Sequence, residues 1–101
     1  MKKTFRTPEW KIEEWDELTE SNAHGIRIAR IADYLSCVAS NQESRNDLYE
    51  IAQVANTINS LHDRRRCLSG RLYEIRETLR KTLRDTIRYE FGEEELKRIN
   101  P

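Results

Sequence analysis

The feature that most constrains this chain is a helical repeat between residues 44 and 91. Apolar residues recur there at steps of three or four, which places them on one face of an α-helix. They are Leu48, Ile51, Ala55, Ile58, Leu61, Leu68, Leu72, Ile75, Leu79, Leu83, Ile87 and Phe91. Only Ser69 and Gly70 interrupt the repeat. One continuous helix would be about 70 Å long, so of the two possibilities, a very long helix or two helices joined near Gly70, we favour the second.

Weaker signals place the other elements. Thr7, Pro8 and Glu9 are typical of a helix start, with Thr7 as the N-cap and Pro8 in the first helical position. The polar residues from Asn41 onward predict either a loop or a helix capped by Asn41 or Ser44. The expected elements are a flexible arm at 1–6, helices at about 8–20, 22–40, 44–67 and 70–91, and a short terminal turn at 93–99.

The predicted fold class is all-α, because no stretch shows the period-two alternation of a β-strand. We expect a single domain at 1–101, built as a small bundle of three long or four shorter helices. A chain of 101 residues, 36% of them charged, has a modest core. The repeat at 44–91 needs more apolar cover than the N-terminal third supplies, so we expect a homodimer.

Cysteine usage and hydropathy bear on the compartment. Cys37 and Cys67 have neither metal-ligand spacing nor the density of a disulfide scaffold, so both are expected to be reduced. No apolar run approaches the roughly 20 residues that span a bilayer, and no signal-peptide core follows Met1. These observations predict a cytoplasmic protein with no membrane association.

The strongest chemical feature is a row of arginines. Nine basic side chains and three acidic ones lie between residues 64 and 88, although the whole chain has a formal net charge of +0. Arg76, Arg80, Arg84 and Arg88 are four residues apart, so they form a nearly straight row beside the apolar face of the same helix.

Two interpretations of this row remain open. In the first, it binds the phosphates of a nucleic acid or a nucleotide-like ligand, since arginine offers a fixed fork of donors that matches phosphate oxygens. The candidate residues are Arg64, Arg65, Arg66, Arg76, Arg80 and Arg84. In the second, the arginines pair with the acidic first helix or with Glu77 and Asp85. We favour the second, because a pI near 6.7 is unlike the basic domains that usually bind nucleic acid.

Signals of catalysis are weak. The carboxylates at 13–17 resemble one motif of the all-helical nucleotide pyrophosphohydrolases, in which acids on two helices hold Mg²⁺. The second motif requires Glu followed by Asp three residues later, whereas Asp47 and Glu50 have the reverse order. His24 and His62 have no second ligand at helical spacing, and no glycine-rich phosphate loop is present. We expect no metal, no cofactor and no enzymatic activity.

These features favour a non-enzymatic regulatory or inhibitory adaptor that binds another macromolecule, with a protein as the expected partner. In size and composition the chain resembles small bacterial or phage-encoded regulators and inhibitors. The alternative is nucleic-acid or nucleotide binding through the basic helix face at 64–88.

Overall fold

The computed structural model describes residues 5–18, 23–65 and 70–101; the side chains of 23–25 and 62–65 are outside the description. The described residues form five helices: α1 (Glu9–Asp16), α2 (Ala23–Val38), α3 (Gln42–Arg65), α4 (Gly70–Phe91) and α5 (Glu93–Ile99). No strand occurs in these ranges. The prediction of an all-α fold is confirmed.

The three longest helices pack in an antiparallel arrangement. A short connection at 39–41 joins α2 to α3, and these two helices form the most extensive contact in the molecule. The side chain of Glu90, near the end of α4, accepts hydrogen bonds from Ser40 and Asn41 at the start of α3. Because α4 ends where α3 begins, the apolar repeat at 44–91 folds back on itself as a helical hairpin. We call α3 and α4 together the hairpin.

The core draws on every described helix. Its largest fully buried apolar side chains are Trp15, Ile28, Ile31, Leu35, Leu48, Leu83, Ile87, Leu96 and Ile99. Burying each contributes about 1.5–3 kcal/mol. The buried residues of α4 that pack into this cluster lie in its second half, since Leu83 is the first of them. The first half of α4 therefore lies at the margin of the core.

The start of α3 is held by two side chains. Asn41 is the cap, as one of the two predicted alternatives had it: its Oδ1 accepts hydrogen bonds from the backbone N–H groups of Glu43 and Ser44 at 2.8 and 3.2 Å. Burial raises the pKa of Glu90, but hydrogen bonds from Asn41, Ser44 and Ser40 outweigh it and leave that pKa below its ordinary value. The ionised carboxylate of Glu90 thus supports the α2–α3 connection.

The predicted start and end of the first helix need correction. Pro8, not Thr7, occupies the N-cap position, and no side chain caps α1. Thr7 is buried, and its N–H donates to Glu95 instead. The helix ends at Asp16 and not near residue 20, because Arg27 binds the carbonyl of Trp15 and the carboxylate of Asp16. Residues 19–22, in the predicted tail of this helix, lie outside the described residues.

The predictions for both ends of the chain also need correction. Within the expected flexible arm, residues 1–4 lie outside the described part, but Phe5 packs on Phe91 and Tyr34 with ring centroids 5.8 and 6.2 Å apart. The expected terminal turn is the helix α5, whose Leu96 and Ile99 are buried. It reverses off α4 at Gly92, where φ is +100°, a value that favours glycine. Phe5 and α5 thus both pack in the core cluster.

None of the helices in the described ranges is long and apolar enough to cross a membrane.

Candidate interaction surface

Arg76, the first of the arginines spaced four apart, is buried. Its exposed fraction is 7%, and its Nε lies 3.6 Å from Oε2 of Glu77. The guanidinium also lies over the ring of Tyr73, 4.9 Å from the ring centroid. Arg76 therefore points away from solvent and could reach an external phosphate only after rearrangement.

Two further arginines of the row are engaged in ion pairs on or next to α4. Nη1 of Arg80 donates to Oε1 of Glu77 at 2.7 Å. Arg88 donates to Asp85 at 3.2 Å and to Glu93 at 2.6 Å. These partners include Glu77 and Asp85, the two acids that the second interpretation of the row named. An ion pair between residues three or four apart on a helix surface contributes about 0.2–0.5 kcal/mol.

The acids of α1 have other partners. Glu9 pairs with Arg98 of α5, and Asp16 pairs with Arg27 of α2, both at 3.0 Å. Among the described residues, the arginines of α4 make no ion pair with α1. The acidic first helix therefore does not neutralise the basic row.

The remaining candidate residues are more dispersed. Arg84 is half-buried and Lys81 is exposed, and neither has an ion pair among the described residues. Arg64 and Arg65 belong to the last turn of α3, but their side chains are outside the description, and Arg66 lies outside the described residues. Of the six arginines singled out in the sequence, the structure thus brings Arg76 and Arg80 together, around Glu77.

A solvent-facing groove runs along α4. Two parallel rows of side chains, each spaced four residues apart, border it. They are Arg71, Ile75 and Leu79 in one row and Glu74, Thr78 and Thr82 in the other. The groove has a volume of about 350 Å³, and Ile75 beside it is 42% exposed. Helices pack by placing a row of one into such a groove of another, so this surface, the outer face of α4, has the form of a helix-docking site.

A second groove continues from the first at Thr82 and lies between α3 and α4. It has a volume of about 310 Å³. Its lining residues are Glu43, Ser44, Asp47, Thr82, Asp85, Thr86 and Tyr89. Three carboxylates make this end acidic, whereas the first groove begins at Arg71. Along the axis of α4 the combined surface therefore has Arg71 and Glu74 at one end, apolar side chains in the middle and three carboxylates at the other end.

Exposed apolar side chains concentrate on the hairpin. Six large apolar side chains are exposed in the described part of the chain, and only Trp10 of these lies elsewhere. The other five are Tyr49, Val54, Tyr73, Ile75 and Tyr89. Contiguous exposed apolar patches are typical of interaction sites, whereas single exposed residues are not. By helical spacing Ile75 and Tyr89 share the outer face of α4, and Tyr73 lies on its opposite side.

The sequence analysis did not identify the role of Arg27, the side chain that donates the most hydrogen bonds among the described residues. Its guanidinium donates to the carbonyls of Trp15, Ile99 and Asn100 and to the carboxylate of Asp16. It thereby joins the C-terminal ends of α1 and α5 to α2. The contact with Ile99 joins residues 72 positions apart, so no local pattern could have identified it.

A second missed cluster surrounds Glu95. Its Oε2 accepts the N–H of Thr7 at 2.7 Å, and its Oε1 accepts Nη1 of Arg98 at 2.6 Å. Arg98 donates in turn to the Thr7 carbonyl and to Glu9. The spacing of Glu95 and Arg98 on one helix was the available signal. The guanidinium groups of Arg27 and Arg98 and the carboxylate of Glu95 are bound by the protein's own groups, so these charged side chains are not available to a ligand.

No group of three His, Cys, Asp or Glu side chains in the described ranges is placed to hold a metal ion. Two of the acids at 13–17 are instead paired, Glu14 with Lys11 and Asp16 with Arg27. The likeness to the pyrophosphohydrolase motif gains no support from this arrangement.

Comparisons with protein-family models, with curated proteins and with solved structures found no match. The features that bear on function are therefore the surface of the hairpin and the ion pairs that occupy its arginines.

Proposed function

We propose that this protein is a non-enzymatic regulatory or inhibitory adaptor that acts by binding another protein through the hairpin, and that it works as a homodimer. The observation that carries the proposal is the concentration of exposed apolar and aromatic side chains on α3 and α4. We place it in the cytoplasm, where the exposed thiol of Cys37 would stay reduced.

The chemistry of this surface suits a protein better than a nucleic acid. Aromatic side chains, tyrosine among them, are enriched in the central contacts of protein interfaces. Arg76 is buried and Arg80 is paired with Glu77, so phosphate binding by either would first have to break an existing contact. Tyr73 and Val54, in contrast, need no rearrangement to be covered by a partner.

The proposal is tested by comparing proteins that co-purify with tagged variants from cells of the source organism. The double variant Val54→Ser/Tyr73→Ser should lose a specific partner by at least tenfold, while Trp10→Ser, a change at a more exposed aromatic residue on α1, should retain it. Thermal unfolding of each variant verifies the fold. If no co-purifying protein distinguishes the double variant from the Trp10→Ser control, the proposal fails.

A second candidate is nucleic-acid or nucleotide binding, favoured by Lys81 and Arg84, which have no ion pair among the described residues. Such binding should weaken steeply with salt, because each neutralised phosphate releases counterions. Affinity for a short duplex, measured from low to moderate salt, should fall further in Lys81→Gln/Arg84→Gln. Binding that is flat with salt, or no binding, excludes this candidate.

A further inference from the structure

We propose that the outer face of α4 pairs with the same face of a second copy, antiparallel and about a two-fold axis near Thr78. This inference rests on the homodimer proposed above and identifies its interface. It follows from the spacing, exposure and charge order of side chains along α4.

The spacing is that of a coiled-coil seam. Arg71, Ile75, Thr78, Thr82 and Asp85 are separated alternately by four and three residues. At the helical repeat of 3.6 residues per turn they lie within an arc of about 80°. All five are exposed, so a regular seam faces solvent in the isolated chain. The buried side chains of α4, Arg76, Leu83, Ile87 and Phe91, lie on the other side of the helix.

The charge order makes this seam complementary to itself in one orientation. Arg71 and Asp85 are equally distant from Thr78, so an antiparallel pair centred there places Arg71 of each copy beside Asp85 of the other. A parallel pair would instead bring Arg71 against Arg71 and Asp85 against Asp85, which is unfavourable. The two-fold symmetry makes each favourable contact occur twice.

Within a single chain, Arg71 and Asp85 both remain able to form these contacts. Arg71 is exposed and has no ion pair among the described residues. Asp85 already pairs with Arg88, but its side chain is 61% exposed and keeps acceptor capacity on its outer side. Glu43 and Asp47 line the same groove as Asp85. An incoming Arg71 would therefore meet three carboxylates.

The apolar part of the face lies where such a pair comes closest. Ile75, one turn from Thr78, would pack into the groove of the second copy, where Thr78 and Thr82 are short enough to permit close approach. One helix face buries less surface than the roughly 800 Å² per partner of standard interfaces. We therefore expect a dissociation constant on the order of 1–10 μM.

The test is sedimentation equilibrium of the full chain over a concentration series with charge-reversal variants. Arg71→Glu alone and Asp85→Arg alone should each weaken dimerisation at least tenfold, because like charges then meet at two places. Arg71→Glu/Asp85→Arg in one chain should restore it. An equimolar mixture of the two single variants should form a heterodimer, since both contacts are then between opposite charges.

Matched controls are Arg30→Glu and Asp33→Arg, two exposed charges on α2 away from this face, which should leave the mass unchanged. Circular dichroism verifies that every variant is folded. A wild-type protein that stays monomeric at 100 μM, or a dimer that none of the reversals weakens, overturns the inference. A monomeric wild type would also remove the homodimer from the proposed function, whereas a dimer that no reversal weakens would leave the homodimer and exclude only this interface. Neither result affects the partner-binding test with Val54 and Tyr73, so adaptor function and interface can fail separately.

Discussion

Glu95 shows how a single carboxylate organises one end of the molecule. Burial raises the pKa of Glu95, but the hydrogen bonds from Thr7 and the ion pair with Arg98 outweigh it, so that its pKa lies below the ordinary 4.5. The ionised form is therefore the one that the fold binds best. Protonating it weakens the contacts that hold the N-terminal segment on α5.

The consequence is a defined pH dependence of stability. A folded pKa below the unfolded one gives stabilisation that is present above about pH 4.5 and is lost as the pH falls through the folded value. Glu95→Gln should lower the free energy of unfolding at neutral pH by about 1–2 kcal/mol and reduce its loss between neutral pH and pH 3. Urea unfolding at several pH values measures both. Glu94→Gln, an exposed neighbour, is the control, and equal pH profiles for Glu95→Gln and the wild type would contradict the assignment.

At this scale the sequence predicts side chains whose partners are local. Asn41 was identifiable as a cap because it serves N–H groups two and three residues away. Thr7 was misassigned because its N–H finds an acceptor 88 residues away, and Arg76 was placed beside the apolar face although the structure buries it. Tertiary contacts of this kind override the local preference of a residue for a cap or surface position, and residue spacing does not predict them.

The helices differ in how far their own sequence accounts for them. α2, α3 and α4 have 16, 24 and 22 residues and a regular apolar face, so periodicity predicts them. α1 and α5 have 8 and 7 residues, and isolated helices of that length are marginal in water. They depend on burial of Trp15 and Leu96, which explains why the sequence analysis set the end of α1 too late and took α5 for a turn.

A core substitution in α5 tests whether this short helix is part of the core. Leu96→Ala should destabilise the protein by about 2–5 kcal/mol, since Leu96 is 2% exposed and its removal leaves a cavity. Lys97→Ala, on the exposed side of the same helix, should change stability by less than about 0.5 kcal/mol. Chemical denaturation of the three proteins gives the comparison. A Leu96→Ala variant as stable as Lys97→Ala would mean that α5 is a detachable tail.

On the scale of the whole molecule, the hydrogen bonds of Arg27 link three helices, α1, α2 and α5. The last carbonyl groups of a helix have no hydrogen-bond donor within that helix, so they need donors from elsewhere. Arg27 supplies these to the carbonyls of Trp15, Ile99 and Asn100. A lysine could not, because a single ammonium lacks the planar fork that reaches two helix ends at once.

Substitution of Arg27 should therefore lower global stability. Arg27→Met keeps the apolar stem but leaves part-buried carbonyls without donors, at a cost of about 2 kcal/mol. Arg27→Lys should recover less than half of this loss. Arg30→Met, three residues along on an exposed position, should be nearly neutral. Thermal unfolding monitored by circular dichroism measures all three, and full recovery by lysine would show that charge alone is sufficient.

Helix–helix arrangement was predictable only in part. The repeat at 44–91 together with Gly70 indicated a bundle, but not which of its helices are neighbours. The docking of α1 and α5 on α2 depends on contacts between residues far apart in sequence, which periodicity does not report. Periodicity also does not predict that the outer face of α4 is exposed, because this depends on which side of α4 the other helices pack against.

The hydrogen bond between Thr7 and Glu95 also sets an order of events during synthesis. The α2, α3 and α4 contacts join neighbouring segments and can form while the chain is still being made. The N–H of Thr7, although made before these helices, has no acceptor until Glu95 leaves the ribosome, because 88 positions separate donor from acceptor. Closing so long a loop is also entropically slow. Thr7 should thus reach its native position after the contacts among α2, α3 and α4 have formed.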